Sequence, residues 1–317
     1  TPGYGADEYC LSAEGKIKKE LECENADVHF LVGGTQANAT VISSVLRPYQ
    51  GVICARTGHI NVHETGAIEH GGHKVLAVGS RDGLLAAESI QEVMDLHFAE
   101  DGPEHTVQPG MVYISFSSET GTVYSLSQLE AISAVCRRYS LPLFIDGARM
   151  GYGLASEGCD VTMNDIARLA DVFYIGGTKQ GALFGEAVVI VNDALKKDFR
   201  YCIKQNGGML AKGRLLGIQF MTLFEDGLYQ EMSEHAVGQA LRIRGAFESK
   251  GFGFLVKSPS NQQFPILPDS MVEALSSEFM FSVWQKVDES HTAVRFCTSW
   301  ATRPEAVDAL IEKVMSL

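Results

Sequence analysis

The sequence has no C-x-x-C pair, and its cysteines are few and widely separated. Seven cysteines occur in 317 residues, at positions 10, 23, 54, 136, 159, 202 and 297. An odd number without close spacing argues against a disulfide scaffold and against a zinc site built from cysteine. We therefore expect a protein of a reducing compartment, with the cytoplasm as its location.

Runs of positive charge are also lacking. The chain carries 26 basic and 39 acidic residues, which gives a formal net charge of −13. A protein that binds nucleic acid or an anionic membrane normally shows the opposite excess, or at least a basic cluster. We therefore expect neither nucleic acid nor a membrane surface as a partner.

Long hydrophobic runs are absent as well. No apolar stretch approaches the length of a membrane span, and no signal peptide opens the chain. Because the first residue is Thr1 rather than Met, we expect the natural protein to have further N-terminal residues. With 45% apolar and 21% charged residues, the composition is that of a globular protein large enough for two domains.

Short apolar runs alternate with amphipathic segments over the first part of the chain. Ser127 and Glu130 have the spacing of a helix capping box, as do Thr302 and Glu305 ahead of a final helix. The alternation predicts an α/β fold with a mostly parallel sheet and helices on both faces. We predict seven strands, at approximately 28–32, 52–55, 75–78, 112–116, 143–145, 172–175 and 187–191.

The pattern changes after about residue 200. Residues 209–250 predict long helix, and short strands follow near 252–256 and 293–297. This change indicates a second unit packed on the first. We predict a large domain over residues 1–215 and a smaller C-terminal α+β domain over residues 216–317.

Three motifs carry residues that point to chemistry. The first, LVGGTQANAT, runs from a strand through Gly33 and Gly34 to Thr35 and a helix. Free backbone N–H groups at a helix N-terminus, together with a hydroxyl, form a phosphate site. Taken alone, the motif favours a simpler interpretation, a threonine that only caps the helix. It is not a Walker loop, because no G-K-[ST] follows.

The second motif, LPLFIDGARMGYG, places Asp146 directly after an apolar strand. That position is the carboxyl edge of the sheet, where α/β proteins bind ligands, and Arg149 follows closely. An aspartate there can also serve only as a turn former. Gly151 and Gly153 lack the third glycine of a dinucleotide fingerprint, which argues against a nicotinamide cofactor.

The third motif is a lysine in a glycine-rich turn. Lys179 follows Gly176, Gly177 and Thr178, between two segments that predict buried strands. A lysine that reaches solvent from a loop is the simpler interpretation. An amine held in a desolvated turn, however, has a lowered pKa and can form a Schiff base.

Together the motifs match the needs of one cofactor, pyridoxal 5'-phosphate. That cofactor requires a phosphate site, a lysine amine and an acidic partner for its pyridine nitrogen. The glycine and threonine loop, Asp146 and Lys179 supply all three in order along the chain. Asp146 would keep the ring nitrogen protonated, and Thr178 would add a hydroxyl to the phosphate site.

With these motifs in place, the sequence resembles the threonine aldolase and aromatic β-eliminating lyase family of fold-type I pyridoxal phosphate enzymes. The similarity runs from GYGADEYC to VRFCTSWATRPEAVDALI, and FIDGAR and GGTK are its most specific parts. GGTQAN is similar to the family's phosphate loop. HINVHETG, with His59 and Glu64, is similar to the segment whose histidine stacks on the cofactor ring.

The resemblance implies a role for each candidate residue. Lys179 would hold the cofactor, Asp146 would pair with the pyridine nitrogen, and His59 would lie against the ring near the substrate β-hydroxyl. Arg295 would bind the substrate carboxylate, with Arg149 nearby at the ring or the carboxylate. Because the family is commonly tetrameric, with active sites at subunit interfaces, three residues would act between subunits: Tyr4, Lys212 and Arg214.

One departure from the family concerns the base that takes the β-hydroxyl proton. The more familiar aldolases have a second histidine where this chain reads SFSSETGTVYS. His59 is therefore the leading candidate. We expect no metal, because HETGA lacks the second histidine of H-E-x-x-H, although histidines cluster at positions 59, 63, 70 and 73.

We therefore expect an aldolase that cleaves L-threonine or L-allo-threonine to glycine and acetaldehyde, and that assembles as a dimer or tetramer. The main alternative is a lyase that eliminates a β-substituent from an aromatic or other amino acid and releases pyruvate and ammonia. The incomplete glycine pattern disfavours a nicotinamide oxidoreductase. Lys179 in its glycine turn disfavours a binding protein without catalytic activity.

Overall fold

The computed structural model describes residues 1–99 and 101–317. Its largest sheet has seven strands: β1 Asp27–Leu31, β2 Gln50–Ala55, β3 Lys74–Val78, β4 Gln108–Ser115, β5 Leu143–Asp146, β6 Val172–Gly176 and β7 Glu186–Ile190. They lie in the order β1-β7-β6-β5-β4-β2-β3. The strands from β6 to β3 are parallel, whereas β7 is antiparallel to β6 and to β1. The predicted α/β fold with a mostly parallel sheet is confirmed.

Helices pack on both faces of this sheet because successive strand residues point to opposite sides. Ile145 and Phe173 belong to one core cluster, and Phe144 and Tyr174 belong to the other. A short 3-10 helix spans Pro103–His105. The helices are α1 Glu8–Glu20, α2 Gly34–Val45, α3 His59–Val62, α4 Ala67–His70, α5 Ala87–Ala99, α6 Leu126–Arg138, α7 Met150–Leu154, α8 Met163–Leu169, α9 Asp193–Lys196, α10 Phe199–Gln205, α11 Arg214–Leu223 and α12 Leu228–Ser249.

The carboxyl ends of β4 and β5 meet near the middle of the sheet. Ser115, the last residue of β4, is paired with Asp146, the last residue of β5. All four residues of β5 are buried, so its apolar side chains fix the strand in the core. The polar side chain at its end is thereby held at the edge where parallel sheets bind ligands.

A second sheet follows, formed by β8 Gln262–Gln263, β9 Ile266–Pro268, β10 Ser282–Lys286 and β11 His291–Cys297. β11 pairs antiparallel with each of the other three strands. Two helices accompany it, α13 Asp269–Ser276 and α14 Pro304–Ser316. Its core includes Ile243 and Phe247 of α12, so that long helix links the two parts of the molecule.

Both predicted capping boxes are wrong. Helix α6 begins two residues earlier than the motif indicated, because Ser125, not Ser127, accepts from the amide of Gln128. Helix α14 has no side-chain cap; the Thr302 hydroxyl accepts from Ser299 N instead, and a proline in the first turn starts the helix. In each case several hydroxyl residues adjoin the helix start, and the motif spacing alone does not say which of them caps the helix.

The predicted strand at 252–256 is also wrong, since only Phe254 forms an isolated bridge, with Pro265. The domain boundary after residue 215 stays a prediction. That position lies inside α11, which packs closely on α1. None of the helices in the described residues is long and apolar enough to cross a bilayer.

Candidate active site

A cavity of about 280 Å³ opens at the carboxyl ends of β4 and β5. Its walls combine side chains from the large sheet, from α3 and from the second sheet. Five of the predicted site residues line it: His59, Asp146, Arg149, Lys179 and Arg295. The structure thus brings together the predicted lysine, acid and histidine and both predicted arginines.

Asp146 is 3% exposed, and its carboxylate accepts four hydrogen bonds. Oδ2 accepts from Asn38 Nδ2 at 3.1 Å and from Tyr113 Oη at 2.5 Å. Oδ1 accepts from Tyr174 Oη at 2.5 Å and from Ala148 N at 3.0 Å. Burial and the negative charge of Asp146 raise the pKa of both tyrosines well above its usual range, so both remain donors. The carboxylate is therefore held in one orientation.

Lys179 lies in the turn that joins β6 to β7. Its carbonyl oxygen accepts a hydrogen bond from the Tyr152 hydroxyl, and the amides of Gly177 and Thr178 both donate to Gly185 O. A Cβ on Gly177 would lie 2.7 Å from Gly185 O, so the turn closes only with glycine there. The glycines allow the backbone to double back and hold the amine in one place.

Burial in the cavity lowers the pKa of Lys179, and the positive charge of Arg149 acts in the same direction. The carboxylates of Asp146 and Glu186 oppose that shift. Burial in turn raises the pKa of Glu186, whose Oε2 accepts from Gly177 N at 3.1 Å. By its surface area Lys179 is an exposed residue, and it lines the cavity. A lowered pKa leaves more of its amine uncharged, which is the form that attacks an aldehyde.

His59 is connected to Asp146 through two intervening side chains. His59 Nδ1 is 2.7 Å from Glu64 Oε1. Asn38 Nδ2 donates to that same oxygen at 2.6 Å and also to Asp146. The hydrogen bond with Glu64 raises the pKa of His59, although burial opposes the shift. The imidazole therefore favours its cationic form more than an ordinary histidine does.

Two arginines carry positive charge into the cavity, and neither forms a salt bridge within the described residues. Arg149 Nη2 is 3.9 Å from Cys297 Sγ, and Arg295 Nη1 is 3.4 Å from Gln262 Oε1. The Arg295 guanidinium lies 5.1 Å from the ring centroid of Trp284. On both arginines the Nε atom is buried and has no hydrogen-bond partner among the described residues. Their free N–H groups suit a carboxylate.

The predicted phosphate loop forms the start of α2. Gly33 is the N-cap residue, and no side chain caps the first amides of the helix. A Cβ on Gly33 would meet no atom within 4 Å, so the space there is open, and Thr35 is exposed beside it. A Cβ on Gly34 would lie 3.1 Å from Tyr174 Oη, the hydroxyl that donates to Asp146. The side chain of Tyr174 thus separates these uncapped amides from Asp146. Free amides at the start of a helix fit a phosphate group.

Besides Gly33, Gly34 and Thr35 at the start of α2, four predicted residues do not line the cavity. Thr178 Oγ1 accepts from Gly185 N at 3.0 Å and so closes its own turn. The predicted inter-subunit residues lie on two adjacent segments, where Tyr4 N donates to Leu210 O at 3.1 Å. Within one chain, Tyr4, Lys212 and Arg214 do not line the cavity. Their roles between subunits stay predictions.

The histidine cluster separates into parts. His59 and His63 are neighbours, with ring centroids 5.5 Å apart, whereas His73 Nδ1 contacts Gln50 O at 3.3 Å. Among residues 1–99 and 101–317, no group of three or more His, Cys, Asp or Glu side chains could hold a metal ion.

Several residues with no role assigned from the sequence also line or support the cavity. Asn38 lies in GGTQAN and Glu119 lies in SFSSETGTVYS, so the segments were recognisable although the chemistry of these residues was not. Their polar contacts depend on strands and loops far apart in the chain. These residues include Asn38, Tyr113, Ser115, Glu119, Tyr174, Glu186, Gln262 and Trp284.

Comparison with known proteins identifies the family. The model of the beta-eliminating lyase family matches residues 2–249. The chain belongs to the beta-eliminating lyase family. The low specificity L-threonine aldolase of a Pseudomonas species is 36% identical over 99% of this chain and 90% of that protein. The low specificity L-threonine aldolase of Pseudomonas aeruginosa is 30% identical over 98% of this chain and 88% of that protein.

Solved structures show the same relationship. A threonine aldolase from Leishmania major has a TM-score of 0.96 and 43% identity, over 99% of this chain and 91% of that one. A ureidoglycine-glyoxylate aminotransferase from Bacillus subtilis shares the fold, with a TM-score of 0.70 and 17% identity over 100% of this chain and 87% of that one. The predicted fold type I is confirmed for this member of the beta-eliminating lyase family.

The cavity fits the cofactor of the beta-eliminating lyase family, pyridoxal phosphate. The Lys179 amine and the Asp146 carboxylate line the same space. The open position in front of Gly33 provides room for a phosphate at the N-terminus of α2. The donor set of amine, carboxylate and helix amides is the one that pyridoxal phosphate requires.

Proposed function

We propose that the protein is an aldolase that cleaves β-hydroxy-α-amino acids, with L-threonine or L-allo-threonine giving glycine and acetaldehyde. The observation that carries the proposal is the cavity itself, which combines the Lys179 amine with Arg149 and Arg295. Neither arginine has an acidic partner in the described part of the chain. The similarity to low specificity L-threonine aldolases supports the same reaction.

Each predicted cofactor residue has a distinct task in this proposal. When bound, pyridoxal phosphate supplies an electron sink for the electron pair that remains at Cα. Lys179 provides the amine that holds it, and Asp146 holds a proton on the pyridine nitrogen. At the start of α2, the amides of Gly33 and Gly34 and the hydroxyl of Thr35 bind the phosphate, and the predicted contribution of Thr178 would require its hydroxyl to turn away from Gly185.

The two arginines orient the substrate. Arg295 binds the α-carboxylate, and Trp284 keeps the guanidinium plane in place by stacking at 5.1 Å. Arg149 adds positive charge on the neighbouring side of the cavity. Fixing the carboxylate fixes rotation about the bonds to Cα, and this orientation selects which bond breaks. His59 is the residue that we place against the cofactor ring.

We further propose a homo-oligomer, a dimer or a tetramer, located in the cytoplasm. Unpaired cysteines at all seven positions support that compartment. Exposed apolar side chains occur on three elements that contact one another, since Leu183 N donates to Gln219 on α11 and α11 packs on α1. They are Leu11, which is 60% exposed, Leu183, which is 87% exposed, and Leu215, which is 51% exposed. A second chain that covers Leu183 would lie beside Lys179, because both residues belong to the turn between β6 and β7.

Sedimentation equilibrium tests the assembly. We expect a dimer or tetramer for the parent protein and a shift towards monomer for Leu183→Asp, because a buried charge without a partner opposes association. A monomeric parent would contradict the proposed oligomer.

Product analysis tests the reaction. The purified protein is supplied with pyridoxal phosphate and with L-threonine or L-allo-threonine, and acetaldehyde, glycine, pyruvate and ammonia are measured together. We expect acetaldehyde and glycine in equal amounts. Pyruvate and ammonia from a β-substituted amino acid, without acetaldehyde from either hydroxy amino acid, would assign a β-eliminating lyase instead.

A pair of lysine variants tests the role of Lys179. We expect Lys179→Ala to lose turnover, because no other amine lies at that point of the cavity among the described residues. Lys197→Ala is the matched control, since Lys197 is an exposed residue at the end of α9. Parent-like activity in Lys179→Ala would contradict the assignment.

A further inference from the structure

We propose that Glu119 is the catalytic base that accepts the β-hydroxyl proton of the substrate, an inference that rests on the aldolase function proposed above. His59 was the leading candidate from the sequence. The structure places a carboxyl group in the same cavity, on the loop where a second histidine is lacking. Geometry, charge and rigidity each favour Glu119.

The position of Glu119 follows from the end of β4. Its Oε1 accepts from Ser115 Oγ at 2.7 Å, and Ser115 is paired with Asp146 across the sheet. The same Oε1 accepts from the backbone N–H of His59 at 3.0 Å. Glu119 therefore lies between the acid and the histidine of the site, and it lines the cavity that contains Lys179.

The second oxygen of the carboxyl group is left for a ligand. Both hydrogen bonds from Ser115 and His59 end on Oε1. Oε2 has no hydrogen bond to another residue in the described part of the chain. Glu119 also forms no salt bridge with the described cations. A carboxylate fixed through one oxygen can present the other to a substrate hydroxyl.

The surroundings act differently on the pKa of Glu119 and on the pKa of His59. Burial raises the pKa of Glu119, and the charge of Asp146 adds to that shift, while the Ser115 bond and His59 oppose it. A carboxylate whose pKa is raised is a stronger base than an exposed one. The pKa of His59 is also raised, chiefly by Glu64, which favours the imidazolium. The Nδ1 atom of His59 also already contacts Glu64, whereas Glu119 Oε2 has no hydrogen bond to another residue in the described part of the chain.

The loop that carries Glu119 is held on two sides. Thr120 Oγ1 and Thr122 Oγ1 each donate to Asp82 O at 2.7 Å. On the other side, Ser258 Oγ donates to Gly121 O at 3.0 Å. A Cβ on Gly121 would lie 2.3 Å from that Ser258 hydroxyl, so the loop packs there without space for a side chain. A base held in this way needs little reorganisation to react.

The step itself balances. The hydroxyl proton passes to Glu119 Oε2, and the O–H electron pair forms the carbonyl bond of the departing aldehyde. The Cα–Cβ bond breaks, and its electron pair stays with Cα. Cα then takes one proton, which balances the proton that Glu119 has accepted and later releases. Acetaldehyde and glycine leave, and no oxidant or reductant is consumed.

The test compares two reactions of the loaded enzyme, of which only one involves a β-hydroxyl. The first is acetaldehyde release from L-threonine. The second is exchange of the glycine α-hydrogen in D2O, followed by NMR. For Glu119→Gln we expect acetaldehyde release to fall by about 100-fold or more, with glycine exchange within about threefold of the parent. Glu119→Asp should recover part of the lost rate, and the exposed Glu312→Gln on α14 should match the parent.

Three outcomes would overturn the inference. Parent-like acetaldehyde release in Glu119→Gln would return the base role to His59. Equal losses in both reactions, or loss of cofactor absorbance, would indicate a structural role for Glu119. A parent protein that releases no aldehyde from any β-hydroxy amino acid would overturn the proposed function first, and the inference with it.

Discussion

The fully buried amide of Asn38 should be a major contributor to the stability of the site. Its Nδ2 donates to Glu64 Oε1 at 2.6 Å and to Asp146 Oδ2 at 3.1 Å. Asn38→Leu keeps a similar volume and removes both donors. Each carboxylate retains other partners, His59 for Glu64 and two tyrosine hydroxyls for Asp146, so the substitution weakens the site without dismantling it.

The expected magnitude follows from the charges involved. A hydrogen bond to a charged group contributes about 1.5–3 kcal/mol, so two of them amount to about 3–6 kcal/mol. Asn38 Oδ1 is buried without a partner among the described residues, and its removal returns about 1–3 kcal/mol. We therefore expect Asn38→Leu to lower the free energy of unfolding by about 2–3 kcal/mol.

Urea unfolding of the apoprotein measures this change through the transition midpoint at constant slope. Asn61→Leu is the matched control, because Asn61 Nδ2 donates a single exposed hydrogen bond, at 2.7 Å, to the uncharged backbone carbonyl oxygen of Arg56. We expect that control to lose about 1 kcal/mol or less. If Asn38→Leu and Asn61→Leu lose equal amounts, the reasoning about charge-assisted bonds is refuted.

Three further predictions concern a helix, a buried acid and the phosphate loop. Gly238→Ala and Gly245→Ala in α12 should each add about 0.5–1 kcal/mol in thermal unfolding, because both are exposed with open space at Cβ; a loss would contradict this. Because the pKa of Glu186 is raised in the folded protein, its carboxyl group stabilises the fold when it is protonated. This contribution to the free energy of unfolding is present at acid pH and is lost as the pH rises through the folded pKa. Glu186→Gln should therefore stabilise the apoprotein by on the order of 2 kcal/mol more at pH 8 than at pH 5, and equal effects would refute it. Gly33→Val should weaken pyridoxal phosphate binding about tenfold by fluorescence titration, with unfolding within about 0.5 kcal/mol of the parent; unchanged affinity would place the phosphate elsewhere.

The site residues that could be predicted from the sequence are those that adjoin an apolar strand, because that position already implies contact with a ligand. Asp146 ends an apolar strand, and Lys179 interrupts two of them, so their placement could be read from the local pattern. The antiparallel direction of β7 could not be predicted from the local pattern, because any strand buried on both faces shows the same continuous apolar run. Glu186 begins that strand and approaches Lys179 only through this pairing.

Polar residues in loops were the hardest to interpret. Glu119 has acidic and hydroxyl neighbours in sequence, as many solvated loops do, and only its bond to Ser115 reveals its place. Ser125 and Ser127 both adjoin α6, and backbone geometry decided which one caps it. Partner choice among similar polar groups depends on tertiary contacts that periodicity does not encode.

The connection that carries Lys179 is a hairpin between two central strands, β6 and β7, and this has a consequence for local motion. Both strands are hydrogen-bonded on their outer sides as well, to β5 and to β1. The amides of β6 and β7 beside the turn should therefore exchange with solvent only when the sheet itself opens. The lysine should keep its place through repeated loss and return of the cofactor, and the empty enzyme should reload without refolding.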